Sequence, residues 1–162
     1  MLKTLALTCT LLMSFALAAC GSNASNSAAV PAPVPAAANT ATPERNVKLT
    51  LNNQAEVIVK INNTEAADDF LSLLPLELEV KDYHATEKIS YLPRRLNTQN
   101  APAGFDPQAG SFAYYAPWGN LAIFYKDYGY SNNLVELGTI SSGLEKLAAA
   151  GSDFSVKIER LP

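Results

Sequence analysis

The sequence predicts a mainly β domain, a closed or nearly closed antiparallel barrel of about eight strands with two short helices. The prediction rests on many short runs in which apolar and polar residues alternate, and on only two stretches with helical periodicity. The runs are separated by turn-forming residues, as expected for strands joined by hairpins and short loops. Closure into a barrel is favoured because it leaves no long sheet edge exposed.

The first predicted elements are a hairpin and a helix. Residues 47–51 and 57–61 alternate in polarity and are joined at Asn52-Asn53, a turn-forming pair. Thr64 is a suitable N-cap for the helix that follows, and Pro75 ends that helix. Its apolar face, spaced i, i+3, i+4 and i+7, consists of Ala67, Phe70, Leu71 and Leu74.

The remaining elements complete the strand count. Residues 93–110 contain three Pro and two Gly without clear periodicity, which predicts a long loop. Ser142 and Glu145 have the spacing of a capping box, which predicts a second short helix with Leu144, Leu147 and Ala148 turned inward and Gly151 after its end. Strands are predicted at residues 76–80, 89–92, 112–115, 121–125, 134–140 and 154–158.

Composition excludes some classes of function. The chain has 162 residues, 17% of them charged, and a formal net charge of −3. A nucleic-acid-binding protein needs a basic face that releases counterions from the phosphates, and an acidic chain does not supply one. We therefore expect no nucleic-acid partner.

The N-terminus predicts export and lipidation. One cation, Lys3, precedes an uncharged apolar stretch over residues 4–19, which is short for a membrane span and typical of a signal peptide. The stretch ends in Leu17-Ala18-Ala19-Cys20, which resembles the bacterial lipobox. In that motif the small residues admit the signal peptidase and the cysteine thiol carries the diacylglycerol. An ordinary secretory signal with a cysteine at its cleavage site by chance is the alternative.

The predicted organisation is a signal peptide over residues 1–19, a lipidated Cys20 with a disordered tether over residues 20–45, and the barrel over residues 46–162. Residues 21–43 contain no charged and no aromatic residue, so they cannot bury enough apolar surface to fold. Acyl chains on Cys20 would anchor the protein to a lipid bilayer without a membrane span. In bacteria with two membranes, many lipoproteins that stay in the inner membrane carry an Asp retention signal after the lipidated cysteine. This chain has Gly21 there, which favours the outer membrane, facing the periplasm.

Cysteine usage limits the chemistry of the domain. The chain has two cysteines, of which Cys9 belongs to the signal peptide and Cys20 to the lipidation site. The domain then has no disulfide and no cysteine-based metal site, and no motif in it implies a cofactor.

The order of motifs resembles the bacterial cyclophilin-like fold family over roughly residues 47–158. Residues 70–76 fit F-x-x-L-L-P-L, residues 87–93 fit E-K-x-x-Y-L-P, residues 121–126 fit L-x-x-F-Y-K and residues 137–140 fit L-G-x-I. The sequence departs from the family pattern at Ser111, where Asp is frequent, and at Glu136 and Thr139, where basic residues are expected.

The resemblance implies the fold, a small β-barrel, but it does not imply a particular reaction. Cyclophilins isomerise prolyl bonds with an Arg in an F-H-R segment and a Q-F-F segment, and this sequence has neither. The Arg polarises the prolyl carbonyl, so its absence disfavours that mechanism. Most of the family has no assigned ligand or activity.

The candidate binding residues are mainly aromatic. Six of the eight Tyr and Trp residues fall within residues 114–130. Alternation places Tyr114 and Tyr115 on opposite faces, so one of them faces the core. Exposed aromatic side chains suit a ligand or peptide surface, although packing over one end of the barrel is the alternative. The candidates are Tyr91, Tyr115, Trp118, Tyr128 and Tyr130.

Two polar candidates remain. Arg94, in the only Arg-Arg pair of an acidic domain, is suited to bidentate binding of an anion, or is one of two solvated loop residues. His84, the only histidine, has no second ligand or acid at a catalytic spacing, so we expect a solvated turn residue.

Three functions remain open on the sequence alone. The first is a non-catalytic, lipid-anchored domain that binds a small ligand or an envelope protein through its aromatic rim and Arg94. The second is an enzyme, either a divergent prolyl isomerase or another activity in the same cleft. The third is a purely structural envelope lipoprotein.

Overall fold

The computed structural model describes residues 45–151 and 153–162. The predicted signal peptide, Cys20 and the tether up to residue 44 lie outside the described residues. Within the described part of the chain, no helix is both long and apolar enough to cross a membrane. In chain order the elements are β1 (Asn46–Leu51), β2 (Ala55–Ile61), α1 (Glu65–Leu71), β3 (Leu76–Tyr83), β4 (Glu87–Tyr91), β5 (Gly104–Phe105), β6 (Ser111–Tyr115), β7 (Asn120–Phe124), β8 (Ser131–Asn132), β9 (Leu134–Ser142), α2 (Leu144–Ala149) and β10 (Asp153–Arg160).

Eight of the strands form a closed barrel in the order β1-β10-β3-β4-β7-β6-β9-β2. Every neighbouring pair is antiparallel, including the closing pair of β1 and β2. The predicted mainly β barrel with two short helices is thereby confirmed. The two remaining strands, β5 and β8, form a separate small sheet.

The barrel interior is filled by the apolar side of the alternating strands. On β1 and β2 every second residue is buried, as the period of two requires. On β6, Tyr114 is 1% exposed and belongs to the central core, whereas Tyr115 lies on the outer face. The prediction that these neighbouring tyrosines lie on opposite faces is therefore confirmed.

Helix α1 packs against the barrel through the face predicted from the sequence. Thr64 is its N-cap, and its hydroxyl accepts a hydrogen bond from the Ala67 amide at 3.3 Å. Phe70 is fully buried, and its ring meets the Phe112 ring edge-on at 5.3 Å. The helix ends at Leu71, three residues before the predicted position, because the chain turns ahead of Pro75.

Helix α2 begins differently from the prediction. Its N-cap is Gly143, with φ of 86°, and no side chain caps it, so the capping box predicted from Ser142 was wrong. Ser142 is instead the last residue of β9. Leu147 is buried as predicted, but Ala148 is exposed, because the helix is only six residues long and presents a narrow face to the barrel.

A second apolar cluster lies on the outer face of the barrel. It consists of Ala113, Ala122, Phe124 and Leu134, with Phe105 and Tyr115 packed against it. The small sheet of β5 and β8 contacts this cluster through Phe105. The segment after β5 and the segment before β8 are joined by a hydrogen bond from the Tyr128 amide to the Pro107 carbonyl, at 2.9 Å. The stretch 93–110, predicted as a loop, thus contains a short strand that helps cover one side of the barrel.

Strand β4 buries polar side chains and exposes an aromatic one, although apolar side chains usually face a barrel interior. Lys88 and Ser90 are buried, at 2% and 4% exposure, whereas Tyr91 is 61% exposed. The Lys88 ammonium donates to the carbonyls of Ala150 and Gly151, at 2.8 and 3.1 Å, and pairs with the Asp82 carboxylate at 2.9 Å. A buried lysine therefore ties β4 to the segment after α2.

Candidate functional site

A cleft of about 380 Å³ opens on the outer face of the barrel, beside the second apolar cluster. This volume is within the range of small-molecule sites, about 300–1,000 Å³. Its polar lining residues are His84, Thr86, Glu87, Asn120 and Ser131. Its aromatic lining residues are Tyr83, Tyr115, Trp118, Phe124 and Tyr128.

The aromatic rings of the cleft form two groups. The Trp118 ring lies edge-on to both Tyr83 and Tyr115, with centroid distances of 5.6 and 5.5 Å and interplanar angles of 88° and 80°. Phe124 and Tyr128 stack at 6.2 Å with an interplanar angle of 29°. Trp118 and Tyr128 remain 46% and 57% exposed, so their ring faces are available to a ligand.

Local structure explains how Trp118 and Asn120 reach the cleft. The short connection between β6 and β7 turns at Gly119, whose φ of 78° is readily adopted only by glycine. The Gly119 amide donates to the Tyr115 carbonyl at 2.9 Å, which closes the turn. Trp118 precedes this glycine, and Asn120, the first residue of β7, follows it.

Glu87 is the acidic residue of the cleft. It begins β4, pairs in register with Phe124 and is half-buried. Its carboxylate makes no hydrogen bond or ion pair within the described part of the chain. Burial without a compensating partner raises the pKa of Glu87 to about 7.

Asn120 contributes an unsatisfied acceptor. The residue is 1% exposed, and its Nδ2 donates to the neighbouring Leu121 carbonyl at 2.8 Å. Its Oδ1 is buried and has no hydrogen-bond partner among the described residues. A buried polar atom without a partner costs about 1–3 kcal/mol, so such an atom beside a cleft is suited to receive a donor from a ligand.

His84 lies at the edge of the cleft. It is an exposed residue of the turn between β3 and β4, as expected, with φ of 51°. Its ring also meets the Tyr83 ring edge-on at 4.2 Å and lines the cleft. The turn that carries it is held by Asp82, whose carboxylate accepts from the Ala85 amide at 3.1 Å.

The structure brings together three of the six residues predicted to bind a ligand. Tyr115, Trp118 and Tyr128 all line the cleft. Tyr91 and Tyr130, 61% and 55% exposed, are not among its lining residues. Their role, like that of the other candidates, remains a prediction.

Arg94 lies away from the cleft and is already engaged. Its two terminal nitrogens donate to the Asp69 carboxylate of α1 at 2.9 and 2.6 Å, and one also donates to the Ser72 hydroxyl at 2.9 Å. This bidentate pair lowers the pKa of Asp69 to about 2. Arg94 therefore makes the predicted bidentate contact, but with the Asp69 carboxylate of the same chain and not with an external anion.

Sequence reasoning did not identify Glu87, Asn120, Tyr83 or Phe124 as site residues. Alternation gives one signal, because it places Glu87 and Ile89 on the same face of β4, but this signal points to the wrong side of the strand. Ile89 suggests an interior face, but Lys88 and Ser90 occupy the interior instead. Asn120 follows a turn glycine and is indistinguishable in sequence from an ordinary turn residue.

The residues that the structure describes contain no group of His, Cys, Asp and Glu able to hold a metal ion. What the cleft presents is aromatic surface, one carboxyl group and one amide oxygen. The aromatic surface can bind the apolar body of a ligand, and the two oxygen-bearing groups can accept hydrogen bonds from its polar donors.

The closed eight-stranded antiparallel barrel gives the fold class of this domain, and sequence comparison gives its family. The model of the cyclophilin-like family matches residues 49–159, so the chain belongs to the cyclophilin-like family. A solved structure with a similar fold is that of a hypothetical protein from Archaeoglobus fulgidus, 18% identical, with a TM-score of 0.54. The alignment covers 73% of this chain and 95% of that one. No curated protein matches the sequence.

Proposed function

We propose that this protein is a membrane-anchored envelope lipoprotein whose cyclophilin-like domain binds a small ligand or an envelope partner, without catalysis, through the aromatic cleft. The observation that carries the proposal is the convergence of Tyr115, Trp118 and Tyr128 on one cleft, in which Trp118 and Tyr128 are 46% and 57% exposed. Clustered aromatic surface left open to water is more often functional than incidental.

The anchoring part of the proposal rests on the sequence. Leu17-Ala18-Ala19-Cys20 provides the lipidation motif, and residues 21–43 provide an uncharged spacer. At about 3.1 Å per residue a fully extended spacer would reach roughly 70 Å. The domain would then be held in the cell envelope, on the periplasmic side of the outer membrane in a bacterium with two membranes.

The binding test is a fragment screen on the full-length chain, read by thermal shift and by the fluorescence of Trp118, the only tryptophan. Compounds that bind in the cleft should raise the melting temperature and change Trp118 emission. Tyr115→Ala should abolish both effects, whereas the matched variant Tyr91→Ala, outside the cleft, should retain them. If no compound binds, or if every hit binds Tyr115→Ala as tightly as the wild type, this proposal is wrong.

The alternative function is a divergent prolyl isomerase, or another enzyme that uses the same cleft. The raised pKa of Glu87, about 7, favours an acid–base role, because proton transfer is most efficient near the working pH. Against an isomerase of the cyclophilin type, no arginine is among the described residues that line the cleft. A proline-peptide isomerisation assay separates the two readings, since turnover that is lost in Tyr115→Ala would overturn the binding-only proposal.

A further inference from the structure

We infer that the cleft selects a small organic cation with a flat apolar body and N–H donors, such as an amidinium or guanidinium group. This inference rests on the proposed function, because it specifies the class of ligand that the same cleft takes. It is carried by three features of the cleft, which are its aromatic walls, its unpaired carboxyl group and its unpaired amide oxygen.

The aromatic walls favour a cation over a neutral group of the same shape. Tryptophan and tyrosine ring faces carry negative electrostatic potential and attract a cation within about 6 Å of the ring centre. Trp118 offers the strongest such face, and Tyr115 and Tyr83 surround it edge-on. A flat delocalised cation can also stack on these rings with its apolar body.

The two unpaired acceptors favour a cation that carries N–H groups. Glu87 and Asn120 both line the cleft, and neither Glu87 nor the Oδ1 of Asn120 has a partner in the described residues. Charged donors form stronger hydrogen bonds to a carboxylate than neutral ones do. An N–H group that reached Asn120, with a small rotation of its amide, would supply the partner that Oδ1 lacks.

No lysine or arginine of the described residues is placed to pair with Glu87, and His84, the one imidazole of the cleft, makes no ion pair with it. The described residues that line the cleft include neither Lys nor Arg. Lys88, the next residue, faces the barrel interior and is engaged by Asp82 and two carbonyls. Lys126 lies over the Tyr125 ring at 5.7 Å. The negative charge of an ionised Glu87 is therefore left for a ligand to neutralise.

The inference predicts how affinity depends on pH. The pKa of Glu87 is about 7, so about one tenth of the carboxyl groups are ionised at pH 6 and about nine tenths at pH 8. A cation that pairs with the ionised form should bind about tenfold more tightly at the higher pH. The other titratable side chains that line the cleft are His84 in the turn after β3, Tyr83 on β3, Tyr115 on β6 and Tyr128 before β8.

The test compares three isosteric probes by calorimetric titration of the full-length chain. Benzamidine, protonated at every pH used, presents a flat amidinium; benzamide has the same shape without charge, and benzoate carries a negative charge. We expect benzamidine to bind at least about tenfold more tightly than benzamide at about pH 8, and benzoate to show no binding. If benzamidine and benzamide bind with equal affinity, and Tyr115→Ala binds neither, the cation inference is wrong. The proposal that the cleft binds a ligand would still be supported. Failure of all three probes would also overturn the cation inference, while the fragment screen decides the proposed function separately.

Two variants separate Glu87 from its titratable neighbour. Glu87→Gln keeps the shape and should weaken benzamidine binding at about pH 8 by about tenfold and remove its pH dependence. Histidine side chains generally change charge between about pH 5 and 8, so His84→Gln is the matched control and should retain the pH dependence. A pH dependence that survives Glu87→Gln and disappears in His84→Gln would contradict the assignment.

Discussion

Glu87 shows how a single residue links the stability of this domain to its site. A carboxyl group in a half-buried aromatic setting without a partner is destabilised in its charged form. The barrel tolerates this group at the start of β4, although other polar groups of the same strand, such as Lys88, are satisfied by specific partners. An isolated group of this kind is expected at a functional position more often than at a structural one.

We predict that Glu87→Gln stabilises the protein at high pH only. The pKa of Glu87 is raised from 4.5 in the unfolded chain to about 7 in the folded one, so wild-type stability falls as pH rises through this window. Glutamine does not titrate, so its advantage should be absent at about pH 4 and reach about 1–2 kcal/mol at about pH 8, after allowance for partial solvent exposure. Urea unfolding of the variant and the wild type at several pH values measures this difference in the free energy of unfolding.

Glu145→Gln, on the exposed surface of α2, is the matched control and should not reproduce this pattern. A difference between Glu87→Gln and the wild type that stays constant with pH would mean that the carboxyl group is not destabilised by burial.

At the level of elements, Lys88 joins β4 to the end of α2. Its ammonium group pairs with Asp82 and donates to the carbonyls of Ala150 and Gly151, the two residues that follow α2. Burial acts to raise the pKa of Asp82, but hydrogen bonds from Tyr125 and Lys88 outweigh it and lower that pKa below 3.8. The same network raises the pKa of Tyr125 to about 12 through burial and its hydrogen bond to Asp82, at 2.7 Å.

Lys88→Met should therefore destabilise the barrel by about 3 kcal/mol, because removal of one partner leaves the Asp82 carboxylate and the two carbonyls without the ammonium group. Lys157→Met removes a surface lysine of β10 that pairs with Glu159 at 2.8 Å, and it should destabilise the barrel much less, because water screens a surface ion pair. Chemical denaturation of the two variants provides the comparison. Equal effects would show that the buried network is not a main contributor to stability.

The elements also show where sequence reasoning succeeded and where it failed. Strands with clear alternation, such as β1 and β2, and the Thr64 cap of α1 follow from local rules, and the structure confirms them. The capping box at Ser142 failed because β9 extends through that residue and leaves Gly143 as the cap. The pairing of β5 with β8 was not predicted, because two-residue strands carry no periodicity and depend on contacts between distant segments.

For the whole molecule, closure of the barrel was predictable and the position of the cleft was not. Closure follows from the number of short alternating strands, a property that each segment carries locally. The cleft requires side chains from β3, β4, β6 and β7 to converge on the outer face, which depends on the order of strands in the sheet. The aromatic composition identified Tyr115, Trp118 and Tyr128, but their acidic and amide neighbours, Glu87 and Asn120, emerged only from the fold.

The proposed lipid anchor also leads to a prediction at the scale of the whole molecule, and that prediction concerns Cys20. Cys20→Ala should move the protein from the membrane fraction to the soluble fraction, because the acyl chains proposed on Cys20 would supply the binding free energy. The melting temperature of the domain should not change, since a spacer that cannot form a core of its own separates it from Cys20. Membrane fractionation in high salt measures the first effect. A variant that still sediments with membranes would show that the anchor lies elsewhere.

The most direct test of the central claim, that binding takes place in the outer-face cleft, is amide chemical-shift mapping of the full-length chain with benzamidine and with benzamide. Whichever probe binds, we expect the largest shifts on Glu87, Tyr115, Trp118 and Asn120, with little change at Asp69 and Arg94. Shifts centred on Arg94 and Asp69, or spread evenly over the barrel, would contradict this claim.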